Sequence, residues 1–129
     1  MRPISRLVTA SIIAAGSLLV GQLAFAHHST TGMRSNEITE ISGTIKEFQF
    51  TNPHSWIQVN VTNESGEVEE WSVEWGIPNS LLRQGYNPST FPEGAEVTIR
   101  LHQVNGGAPS GGFVGARFPD GKTIGRWED

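Results

Sequence analysis

The chain has 129 residues, no cysteine and a formal charge of −4, with 9 Lys+Arg against 13 Asp+Glu. Without cysteine there are neither disulfides nor thiolate metal sites. The acidic balance argues against nucleic acid, whose recognition rests on neutralising phosphates, and it offers anionic lipid no polybasic handle.

The first 26 residues, "MRPISRLVTASIIAAGSLLVGQLAFA", have the order of a secretory signal peptide. Arg2 and Arg6 form the basic region, an apolar run covers about 7–20, and Ala24 and Ala26 occupy the −3 and −1 positions of an A-x-A cleavage site. The rival reading, a membrane anchor, meets a run shorter than the roughly 20 residues needed to span, broken by Ser, Thr and Gly. Cleavage after Ala26 leaves 103 residues, 7 basic against 13 acidic, with a charge of −6. That is enough for one domain, burying about two-thirds of its unfolded surface. The expected product is periplasmic, with no membrane span after processing.

Residues 27–37, "HHSTTGMRSNE", are polar, lack periodicity and read as an N-terminal arm; 38–129 read as the folded domain. "SGTIKEFQFT" (42–51) is a strand whose apolar period shifts once, which predicts a bulge. Pro53 then breaks the chain at "TNPH". "SWIQVNVTN" (55–63) alternates, with Ile57, Val59 and Val61 on one face and Trp56, Gln58 and Asn60 on the other. "VEEWSVEWG" (68–76) alternates as well, with Trp71, Val73 and Trp75 inward. The intervening "ESG" suits a three-residue hairpin loop with Gly66 left-handed. That register sets Asn63 against Glu67, Val59 against Trp71, Ile57 against Val73 and, on the outer face, Trp56 against Glu74; a one-residue slip would turn a face over.

"PNSLLRQGY" (78–86) is a short helix, capped by Asn79 or Ser80 and ended at Gly85. "PEGAEVTIRLHQV" (92–104) is a turn and a strand with Val97, Ile99 and Leu101 inward, and Arg100 and His102 outward. "NGGAPSGG" (105–112) reads as a flexible loop. "FVGARF" (113–118), a turn at Asp120-Gly121 and "KTIGRW" (122–127) follow. Three strands, a short helix and two strands is the order of an all-β, five-stranded OB-fold-like barrel. An open antiparallel sheet is the alternative.

The histidines carry the sharpest functional signal. Cleavage after Ala26 makes His27 the first residue. Its α-amine and ring Nδ1 can then chelate one ion, and a further imidazole would complete a histidine brace of three nitrogens. Nitrogen ligands in tetragonal geometry suit Cu(II). The amine must lose its proton, so affinity falls as pH drops below the free-amine value of roughly 8, or lower in competition with metal. His54 opens the second strand in the loop between strands one and two, and His102 ends strand four just before the loop to strand five. In an OB barrel these loops flank one face. An arm of about eleven residues reaches up to roughly 35 Å, so the metal ligands read from the sequence are His27, His54 and His102, with His28 as an optional extra. Each also has an ordinary reading as a turn or surface histidine. Asn52 and Glu74 are candidate partners orienting an imidazole.

Trp56 faces outward beside Gln58, Asn60, Glu70 and Glu74, where an aromatic ring can stack a flat ligand. A second functional reading is therefore an envelope module binding an organic ligand or partner through Trp56 and the 105–112 loop. Neither a catalytic carboxylate pair nor a serine with an evident base stands out, and 105–112 lacks the Lys and helix of a phosphate loop. Binding thus ranks above catalysis, with a metal ion or small ligand as the partner.

"AHHS", "TNPHSW", "EWSVEWGIPNSLLRQGY", "PEGAEVTIRLH" and "FPDGKTI" together resemble a family of small exported bacterial β-domain proteins of unknown function, over nearly all of the processed chain. The most specific pieces, "AHHS" and "TNPHxW", fall on His27, His28, Asn52, Pro53, His54 and Trp56. The resemblance implies a compact exported β-domain and brings no activity with it.

Overall fold

The computed structural model describes residues 33–128. The signal-peptide reading of 1–26, and His27 and His28, lie outside the described residues. Six strands and one helix follow one another as β1 (Thr39–Gln49), β2 (Trp56–Thr62), β3 (Val68–Glu74), α1 (Pro78–Arg83), β4 (Glu96–Gln103), β5 (Ser110–Arg117) and β6 (Thr123–Gly125). Each of β1–β3 is antiparallel to its neighbour, β4 returns along the free edge of β1, and β5 pairs with β4. The sheet closes where Ser110–Gly112 run parallel to Ser72–Glu74. The result is the expected closed five-stranded barrel, with β6 as an extra strand on the second half of β5. Among the described residues no helix is long and apolar enough to cross a membrane.

The alternation read from the sequence is the alternation that packs. Ile57, Val59, Trp71, Val73, Val97, Ile99 and Leu101 are all buried in one cluster with Ile41, Ile45, Phe91, Ala116 and Ile124. The β2–β3 register pairs Trp56 with Glu74, Ile57 with Val73 and Val59 with Trp71, and the Asn63 amide donates to the Glu67 carbonyl at 2.8 Å. The expected bulge in β1 falls between Ile45 and Glu47. The residue left over is Lys46, whose ammonium reaches across β2 to Glu70 on β3 at 2.6 Å; that hydrogen bond, and then the Glu70 charge, raises the Lys46 pKa. Phe91 joins the end of the core to a ring cluster, with centroids 5.3 Å from Phe48 and 5.6 Å from Trp75. Trp75 is half-buried against this core.

Two local readings are corrected. The helix is capped neither by Asn79 nor by Ser80: Ile77 is the N-cap, without a side-chain bond, and Pro78 starts the helix because its missing N–H and fixed φ suit that place. The glycine-rich loop is also shorter than 105–112, because Ser110, Gly111 and Gly112 belong to β5. Glycine there reads as loop by propensity, yet Gly111 permits a close approach of β5 to β4. A Cβ on Gly111 would stand 2.3 Å from the His102 carbonyl oxygen.

Gly43 on β1 has the same role, since a Cβ there would lie 2.1 Å from the backbone oxygen of Asn60. Backbone cannot yield as a side chain tip can. Gly43→Ala is expected to destabilise the domain by about 1–3 kcal/mol or more, seen as a lower urea midpoint with an unchanged slope.

Candidate functional site

A row of outward positions crosses four strands at one level of the barrel. Trp56 on β2 is opposite Glu74 on β3, Glu74 opposite Gly112 on β5, and Gly112 opposite His102 on β4. Paired residues share a face, so the side chains of Trp56, Glu74 and His102 all leave the barrel on this row, and Gly112 leaves a gap between the last two. Trp56 is half-buried.

His54 lies just before β2. Its carbonyl accepts from the Thr51 hydroxyl at 3.2 Å, which ties the turn that contains Pro53. Asn52 is exposed in the same turn and forms a cis peptide with Pro53. The His54 ring turns back over β3 until Nδ1 is 2.5 Å from Glu74 Oε1. The other carboxylate oxygen, Oε2, takes a hydrogen bond from the Arg34 guanidinium. Glu74 is 12 % exposed and His54 46 % exposed. Both oxygens of the carboxylate are therefore engaged by donors, whereas half of the imidazole faces solvent. A carboxylate against Nδ1 orients the ring and leaves Nε2 as the nitrogen outside that contact. Such a nitrogen can bind a metal or accept a proton. The adjacent hydroxyl, Ser55, is fully buried and pairs through its backbone with Trp75 and Gly76, on the inward side of the strand.

Arg34 comes from the segment read as the N-terminal arm. Its residues 33–35 are held along the end of β4: the Asn105 amide donates to the Met33 carbonyl and the Ser35 amide to the Gln103 carbonyl, both at 2.7 Å. From there the Arg34 side chain crosses β5 in the gap left by Gly112, where a Cβ would meet its guanidinium nitrogen at 2.3 Å. The only sequence signal for this arrangement was the glycine, since a glycine inside a strand often marks close approach.

His102 stands beyond Arg34 on the same row. Two strand spacings put it roughly 10 Å from Glu74. Its Nδ1 donates to the Glu37 carbonyl at 3.2 Å, a contact in which only the ring can be the donor. It lines a shallow depression of about 290 Å³ with Ile38, Arg100, Val114, Arg126 and Glu128. Arg100 there is bonded to Glu40 at 3.1 Å and stacks on Trp127 at 3.9 Å. The guanidinium groups around His102 have carboxylates beside them: Arg100 is paired with Glu40, Arg34 with Glu74, and Glu128 lines the same depression. Among the described residues no group of three His, Cys, Asp or Glu side chains could hold a metal ion. A wider groove of about 730 Å³, between β1, β4 and the turn before β6, is lined by residues such as Ser42, Thr98 and Arg117 and by none of the candidate ligands.

A family model described as a family of unknown function (DUF6152) matches residues 16–113, which take in His54, Glu74, His102 and Gly112. Neither a curated protein nor a solved structure matches the chain.

Replacing Glu74 by Gln tests the shared carboxylate. An amide oxygen can accept from Arg34, and its NH₂ would then stand against Nδ1, which favours the Nε2–H tautomer accepting at Nδ1. Glu74→Gln is expected to drive His54 toward that tautomer in long-range ¹H–¹⁵N correlation spectra and to cost about 1–3 kcal/mol of stability.

Proposed function

Because the chain belongs to this family of unknown function, it inherits no activity from its relatives, and we propose from its own residues that it is an exported, periplasmic metal-binding protein that takes Cu(II) through an N-terminal histidine brace. The amine and Nδ1 of His27, freed by cleavage after Ala26, supply two nitrogens, and Nε2 of His54 supplies the third. His102 and His28 are optional further ligands.

The observation that carries the reading is the close contact of His54 Nδ1 with the Glu74 carboxylate at 2.5 Å. A carboxylate behind an imidazole orients the ring, as it does in metal centres generally. Glu74 acts only from behind the ring, because its two oxygens are already used by Arg34 and His54. A nitrogen set of amine and imidazoles suits tetragonal Cu(II) over hard cations. The same Nε2 could serve as a general base, but the neighbouring Ser55 hydroxyl points into the barrel. Metal binding therefore uses more of the arrangement than nucleophilic catalysis does.

The anchoring of 33–35 bears on reach. From Met33 back to His27 the tether is about six residues, or at most roughly 20 Å, and its anchor at Met33 adjoins Arg34, whose side chain reaches Glu74.

Protein beginning at His27 is expected to bind one Cu(II) with a nitrogen-rich, tetragonal spin-resonance signal. One added alanine before His27 should abolish tight binding. His54→Ala should weaken it by more than the roughly 10–100-fold typical of losing an outer partner. Loss of affinity on Trp56→Ala with none on His27→Ala would instead favour the organic-ligand reading.

A further inference from the structure

We infer that Arg34 is a positioning residue for the proposed metal site: it latches the N-terminal segment to the barrel and holds Glu74 against the imidazole of His54. The inference rests on the copper reading for its function but on geometry alone for the latch.

Arg34 joins three otherwise separate parts. Its backbone lies in the bridge between 33–35 and the end of β4. Its side chain spans β5 over Gly112, with the Cβ position of that glycine 2.9 Å from the guanidinium carbon. Its tip bonds to Glu74 on β3, whose other oxygen holds His54. The side chain is only 25 % exposed, and its Nε is buried without a hydrogen-bond partner. An arginine does not give up that much hydration for a casual surface contact, because a desolvated cation needs its counter-charge. The one carboxylate thus fixes where the arm begins and which way His54 points.

The two effects differ in size. Shortening a free tether from about eleven to about six residues raises the local concentration of its end only about two- to three-fold. Orientation of a ligand by its outer partner is worth about 10–100-fold in metal affinity. Most of the contribution of Arg34 should therefore come through Glu74, with the tether as the lesser part.

Gly112 allows the latch to be opened without touching either charged partner. Gly112→Ala places a methyl group where the guanidinium now lies, and a flexible side-chain tip is what must move. Arg34→Met removes the charge and keeps the stem. In protein beginning at His27, each variant is expected to weaken Cu(II) binding by about 10–100-fold in competition with a chelator, with a changed spin-resonance signal. The double variant should be no weaker than the worse single one, since both act on one contact. Arg34→Lys, which keeps a cation on Glu74, should recover part of the loss. In metal-free protein, amide exchange at Ser35 and Asn105 should quicken by at least about tenfold in both variants. Thermal melting checks that each variant folds.

Unchanged copper affinity in folded Arg34→Met and Gly112→Ala overturns the positioning role. Unchanged amide exchange overturns the latch. Should the parent protein take no copper, the metal reading falls, and the latch is decided by the exchange rates alone.

Discussion

The solvation of one carboxylate governs the outer rim of this barrel. Glu74 is 12 % exposed, and an anion so far removed from water is costly unless donors replace the hydration it has lost. Arg34 and His54 are those donors, one to each oxygen. They flank β1: Arg34 precedes it, and His54 closes the turn between β1 and β2. Because both must meet the same carboxylate, the N-terminal segment, the β1–β2 turn and the end of β3 are fixed relative to one another. The chemistry available at Nε2 of His54 follows from that constraint.

Barrel closure provides the other half of the arrangement. Glu74 lies at the end of β3 where β5 runs parallel to it, and the strand that arrives there brings Ser110, Gly111 and Gly112. Small residues at this seam have two consequences. Gly111 lets the β4 and β5 backbones come close, and Gly112 leaves an open channel on the outer surface through which the Arg34 side chain runs. The seam that completes the hydrogen bonding of the barrel is thus also the path by which a distant cation reaches the carboxylate.

Direct contact separates the two histidines on this row. Nδ1 of His54 meets a carboxylate, whereas Nδ1 of His102 donates to a backbone carbonyl. His102 shares its depression with Arg100, Arg126 and Glu128, and Arg100 is itself paired with Glu40. Of the two rings, His54 is the one with an anion directly behind it, although spacing in the sequence treats them alike.

The strands, their faces and the β2–β3 register were legible in the sequence because each depends on a period of two and on one tight turn. Ile57, Val59, Trp71 and Val73 could take no other side without exposing the core. The order of the elements was enough for the barrel, and parity was enough to set Glu74 outward near the His54 turn. Several features were decided only in three dimensions. The parallel β3–β5 seam brings residues 72–74 beside 110–112, and no local pattern encodes a pairing between strands so far apart. The role of Arg34 depends on that seam, so a polar segment without periodicity gave no sign that its arginine would be drawn across a strand to Glu74. Local physics acts between neighbours in the chain and could be read there; the shared carboxylate joins residues 34, 54 and 74, and such a contact exists only once the sheet has closed.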